Sequence, residues 1–168
     1  MQDDDQTPEY RFDTLAIRSG VERTPFGEHT EPIFLTSSFV HDSAAHAAAK
    51  FAGEADGYIY SRFGNPTLRT FERRLAALEG GVGALAVSSG QQAICVALFN
   101  LAHAGQHIVA GAALYGGTIT LLGQTFKQFG IDVSFVDATQ PEAVEAAIRP
   151  DTRAVYIETL ANPKNDVL

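Results

Sequence analysis

Hydrophobic positions are scattered irregularly through residues 11–64 and fall into regular periods from Asn65 onward. In "NPTLRTFERRLAALEGG" the apolar residues Leu68, Phe71, Leu75 and Leu78 recur at three- and four-residue spacing, which predicts a helix with one apolar stripe. Asn65 is its candidate N-cap, Pro66 occupies the first helical position, and Gly80 lies just past the end. Further on, short apolar runs alternate with helical periods. Strands are expected at 83–89, 107–111, 132–138 and 152–159, and helices at 91–102, 116–130 and 141–148. This alternation predicts an α/β fold, a parallel sheet covered on both faces by helices. Ligands of such sheets sit beyond the carboxyl ends of the strands. Before Asn65 only the alanine-rich 43–53 reads as helix, and residues 1–10 read as disordered. The chain therefore divides into an irregular arm or functional loop, 1–64, and an α/β portion, 65–168.

Composition narrows the function. A length of 168 residues suits a single domain with a sizeable core, and a net charge of −8 argues against a nucleic-acid partner, which needs clustered Lys and Arg. The one cysteine, Cys95, excludes an internal disulfide framework, fits a reducing compartment, and reads as a buried, inert thiol among Ile94, Val96 and Leu98. The acidic start "MQDDDQTPEY" has no apolar core of a signal peptide, and no run of about 18 apolar residues suggests a membrane span. The expectation is a soluble cytoplasmic protein. His103 and His107 are four apart, but Gly105 interrupts the helix between them, so no metal site is expected.

Candidate chemistry lies in the loops after the expected strands. "LAVSSGQQAI" runs from strand to helix with small residues at the junction. It lacks the glycine spacing of a dinucleotide fingerprint and is no Walker loop. What it offers is a helix start where the amides of Gly90 and Gln91 and the hydroxyl of Ser89 are free for a phosphate. An ordinary serine N-cap reads the same way. "ALYGGT" sets Tyr115 on the rim, where an aromatic can stack on a flat heterocycle or simply fill core, and Gly116–Gly117 imply a close approach or an unusual φ. "YIYSRFGNPT" places Tyr60 and Arg62 in irregular chain, with Arg62 suited either to bidentate phosphate recognition or to a surface position. "IETLANPKNDV" puts Glu158 and Asn162 at a strand end, with Asn162–Pro163 a turn signal.

Taken together, "YSRFGNPT", "LEGGVGALAVSSGQQA", "ALYGGT" and "IETLANPKNDV" resemble the cysteine/methionine-metabolism family of pyridoxal-phosphate enzymes, from about Phe12 to the last residue. Within it, "FDTLAIRSG", "EPIFLTSSFV" and "LYGGT" are most similar to O-acetylhomoserine sulfhydrylases; the lyases and cystathionine synthases more often carry methionine where this chain has Gln91. The resemblance implies the large domain of a fold-type I enzyme with an extended N-terminal arm. It implies pyridoxal 5'-phosphate as cofactor, with Ser89, Gly90 and Gln91 at the phosphate, Tyr115 stacked on the ring and assisting proton transfer, and Glu158 and Asn162 bordering the ring. Tyr60 and Arg62 would reach the phosphate of a neighbouring subunit in a homotetramer.

The implied reaction is γ-replacement of acetate on O-acetylhomoserine by sulfide or a thiol, giving homocysteine or methionine. The alternatives are an O-succinylhomoserine enzyme, a methionine or cystathionine γ-lyase, and a non-catalytic phosphate-binding or assembly module. The family's cofactor-holding lysine and its acid at the ring nitrogen have no counterpart in these 168 residues, whose only lysines are Lys50, Lys127 and Lys164. The sequence is thus expected to be the N-terminal part of an enzyme, without the C-terminal domain and inactive alone, with a second polypeptide as one way the remainder is supplied.

Overall fold

The structure is a computed structural model and describes residues 10–167. Apart from Tyr10, the residues expected to be disordered lie outside that range. Two compact units divide between Ala86 and Val87.

The first unit contains α1 (Phe12–Arg18), α2 (Ala44–Phe51) and α3 (Pro66–Glu79). The two helices expected from the sequence form where their caps place them. Ser43 accepts from the His46 amide to start α2, and Asn65 accepts from the Thr67 amide to start α3. Gly80 closes α3 in the left-handed region, φ 64°, a conformation that favours glycine. Helix α1 corrects the expectation of irregular chain over that segment. Its N-cap, Arg11, makes no side-chain bond, so no capping signature marks it, and it forms by packing against α3. The guanidinium of Arg74 reinforces the pair by donating to the Ser19 carbonyl at 3.0 Å and pairing with Glu31 at 2.7 Å. Leu68, Phe71 and Leu75 of the α3 stripe remain exposed, and Thr70 is the buried residue of that helix.

The strand expected at 83–89 is also corrected: no strand forms there. An apolar run becomes a strand only when a neighbour takes up its backbone groups. Here the Ala86 amide bonds instead to the Glu72 carboxylate at 2.8 Å, and Leu85 stays 72% exposed.

The second unit is the α/β portion. It comprises α4 (Gly90–Leu101), β1 (His107–Gly111), α5 (Gly116–Thr120), α6 (Phe126–Gln128), β2 (Asp132–Val136), α7 (Pro141–Ala147) and β3 (Thr152–Tyr156). A π-helical turn, Leu121–Thr125, joins α5 to α6, so the expected helix over 116–130 is one continuous but locally widened element. The sheet is parallel throughout, in the order β2-β1-β3. All five residues of β1 are buried; since successive side chains point to opposite faces, both faces of the central strand are covered. Both edge strands end two or three residues sooner than the sequence suggested, leaving Glu158 and Asn162 in the loop after β3.

The core gathers Leu98, Ala102, Ile108, Ala110, Leu114, Leu122, Phe126 and Ile131, with Phe99 stacked on Phe126 at 4.5 Å between ring centres. Cys95 packs against this cluster but is only partly buried, short of the full burial expected. No helix is long and apolar enough to cross a membrane, and no group of three or more His, Cys, Asp or Glu could hold a metal, both among the described residues.

Candidate functional site

Three segments of the second unit converge at one corner. Helix α4 opens at Ser89, whose backbone is extended and whose Oγ accepts the Gln92 amide at 3.1 Å. That bond uses an oxygen lone pair and leaves the hydroxyl proton free to donate. The next two amides, Gly90 and Gln91, donate to no protein acceptor among the described residues. They stand at the positive end of a 12-residue helix. Gly90 faces open space where a Cβ would stand.

The loop after β1 brings Tyr115 to the start of α5, where the residue is 47% exposed. Gly117 explains the ring's position: a Cβ there would lie 2.6 Å from Tyr115 Cε1, so only glycine lets the ring fold over the helix start. Gly117 therefore serves the close approach, not a left-handed φ. The loop after β3 supplies Glu158. One carboxylate oxygen accepts the Tyr115 amide at 2.9 Å, and the other accepts the Thr118 hydroxyl at 3.2 Å. Thr118 is completely buried and in turn accepts the Gln91 side-chain amide at 3.0 Å. A single relay thus joins α4, α5 and the end of β3. Nearby, burial pushes the Tyr156 hydroxyl up, and the Glu158 charge adds to it.

Asn162 enters this corner differently. The Asn162–Pro163 peptide is cis, and the loop closes through Asn165 N–H to Ala161 C=O, 2.7 Å, and Ala161 N–H to Asp166 C=O, 3.0 Å. Asn162, with Leu114, Ile119 and Lys164, lines a cavity of about 370 Å³ on the carboxyl side of the sheet. It makes no side-chain hydrogen bond to Tyr115 or Glu158.

Tyr60 and Arg62 belong to the first unit. Residues 59–61 pair with 37–39, through Phe39 N–H to Ile59 C=O at 3.2 Å and Ser61 N–H to Ser37 C=O at 2.9 Å. The exposed Arg62 guanidinium lies 4.7 Å over the Phe63 ring and 5.7 Å from the Tyr60 ring centre. It has no carboxylate partner among the described residues. The sequence reading missed Thr118. Its one local signal is a hydroxyl three residues into a helix whose cap, Tyr115, offers no side-chain acceptor.

A family described as Cys/Met metabolism PLP-dependent enzymes matches residues 13–168. An O-succinylhomoserine sulfhydrylase of Pseudomonas aeruginosa is 48% identical over 152 residues, 90% of this chain and 38% of the relative. An L-methionine gamma-lyase of Porphyromonas gingivalis is 49% identical with the same coverage. An O-acetyl-L-homoserine sulfhydrylase of Corynebacterium glutamicum is 46% identical over 99% of this chain and 38% of its own length. Among solved structures, an O-acetylhomoserine (thiol)-lyase of Campylobacter jejuni containing a pyridoxyl-lysine phosphate superposes with a TM-score of 0.85 at 34% identity, covering 94% of this chain and 39% of that one. A cystathionine gamma-lyase of Lactobacillus plantarum in complex with L-serine gives 0.80 at 36% identity, again with 94% and 39% covered. The chain spans under two-fifths of the length of these relatives. With the match running from residue 13 to residue 168, the chain belongs to the Cys/Met metabolism family of pyridoxal-phosphate-dependent enzymes.

Proposed function

We propose that this chain is the phosphate- and ring-holding portion of a pyridoxal-phosphate-dependent O-acetylhomoserine sulfhydrylase, which replaces acetate on Cγ by sulfide or a thiol. The carrying observation is the pair of unpaired amides at Gly90 and Gln91, tied by one hydrogen-bond relay to an exposed aromatic at Tyr115. The residues fit the cofactor: a dianionic phosphate suits two free amides, a free hydroxyl proton and a positive helix end. Gly90 leaves room for it to approach. When bound, the cofactor supplies the electron sink for loss of the α- and β-protons.

This chain's residues do the rest. Ser89, Gly90 and Gln91 hold the phosphate. Tyr115 would cover the ring, with its hydroxyl available to carry a proton. Glu158 fixes the Tyr115 backbone, and Asn162 borders the ring from the cavity rim. Tyr60 and Arg62 reach the phosphate of a neighbouring subunit in a homotetramer, and the unpaired, ring-stacked guanidinium supports that role. The protein works in the cytoplasm. The arm, 1–64, and the first part of the cofactor-binding domain, 65–168, then have separate tasks.

On this reading the cofactor-holding lysine is not among these 168 residues, and a polypeptide limited to them is expected to bind pyridoxal phosphate without turnover. The test compares products in the protein joined to its lysine-bearing remainder. O-acetylhomoserine with sulfide should give homocysteine and acetate faster than O-succinylhomoserine gives homocysteine and succinate. Faster release of 2-oxobutanoate from methionine would replace this reading with a γ-lyase.

A further inference from the structure

We infer that Thr118 is a positioning residue for the cofactor site, holding Tyr115 and the first turn of α4 in one frame through its hydroxyl. The inference rests on the function proposed above for its catalytic meaning, but its geometry stands alone.

Thr118 is wholly buried, and its hydroxyl has a partner on each side. It accepts from Gln91 Nε2 at 3.0 Å and donates to Glu158 Oε1 at 3.2 Å. A hydroxyl has one proton and two acceptor sites, so one donated and one accepted bond fix its rotor. The other Glu158 oxygen accepts the Tyr115 amide at 2.9 Å. The Thr118 amide also returns to the Tyr115 carbonyl at 2.8 Å. Tyr115 is therefore held at both of its backbone groups, once directly by Thr118 and once through Glu158. Gln91 carries the same restraint to α4: its backbone amide is one of the two free donors, and its side chain is spent on Thr118. Chain separations of 27 and 40 residues are thereby bridged by a single hydroxyl.

No other group in the corner can do this. Glu158 has both oxygens engaged, Ser89 Oγ serves its own helix, and the Tyr115 side chain makes no cap bond. Thr118→Val keeps the shape and removes the bonds; Thr118→Ser keeps the bonds; Gln91→Met removes only the donor from α4.

The test has two readouts on the protein joined to its remainder. The first is amide hydrogen exchange in the cofactor-free protein at Tyr115, with Val109 of the central strand as a reference for global opening. The second is the dissociation constant for pyridoxal phosphate. Thr118→Val should speed exchange at Tyr115 about tenfold or more, as expected for losing a bond that orders a charged acceptor. It should raise the dissociation constant by about fivefold or more. Thr118→Ser should restore both, and Gln91→Met should fall between. Unchanged exchange at Tyr115, or failure of serine to rescue, overturns the inference. If the unsubstituted protein binds no pyridoxal phosphate, the proposed function fails while the exchange comparison still decides the role of Thr118.

Discussion

At Gly116 and Gly117 adjacent residues of the same type carry opposite expectations. A Cβ on Gly116 meets nothing within 4 Å, whereas one on Gly117 falls 2.6 Å from the Tyr115 ring. Both positions are helical, where alanine is favoured over glycine by about 0.5–1 kcal/mol. Gly116→Ala should therefore stabilise the protein slightly and leave cofactor affinity alone. Gly117→Ala must swing the Tyr115 ring away, forfeiting about 0.5–1.5 kcal/mol of stacking and raising the pyridoxal-phosphate dissociation constant about 2- to 12-fold. Titrations of the two variants side by side, with thermal melts, check both signs. The "GGT" stretch made Tyr115 and its glycines legible, because small residues next to an aromatic rim have a local meaning. Thr118 was not legible, since its partners come from residues 27 and 40 positions away and no spacing rule links them.

The helices with capping signals formed where the sequence placed them, and the two misses, α1 and the run at 83–89, carry no local signal for what they become. Helices α2, α3 and α4 each begin at a side-chain cap, Ser43, Asn65 and Ser89. Ser89→Ala removes the α4 cap, a loss of about 0.5–2 kcal/mol that a lowered melting temperature would register. Helix α1 lacks such a cap, and the run at 83–89 lacks a neighbouring strand, so neither outcome was written in its own residues. The sheet has a lock of comparable invisibility. His107 is fully buried on β1, with Nδ1 at 2.8 Å from Thr152 Oγ1 on β3 and Nε2 at 3.0 Å from Ser134 Oγ on β2. Burial and the Arg149 charge hold its pKa below 6.5, opposed by Asp151 and Asp132. An unfolded histidine takes up a proton that the folded ring resists. The stability His107 contributes is thus complete above pH 6.5 and is lost as pH falls from there through the folded value. Melts at about pH 7.5 and about pH 5.5 should show a larger drop for the natural protein than for His107→Asn, which has no such group to titrate.

At the scale of the whole molecule, the two units carry different parts of one proposed task. The amide pair and Tyr115 lie in the unit from Val87, and the unpaired cation Arg62 lies in the unit ending at Ala86. If Arg62 serves the phosphate of a neighbouring subunit, damage to each unit is complementable in trans. Arg62→Ala removes the incoming cation. Gly90→Asp sets a carboxylate against the free amides and repels the phosphate. Each variant alone should bind pyridoxal phosphate weakly at every site. Mixed by unfolding and reassembly, half of the dimers pair one variant with the other. Each such dimer has one site with both parts intact, so about a quarter of the full site number should return. Were Arg62 to serve its own subunit, every mixed site would contain at least one damaged part and none would return. Equilibrium dialysis of the mixture against the separate variants measures the difference. The fraction of sites with both parts intact is set by subunit geometry alone.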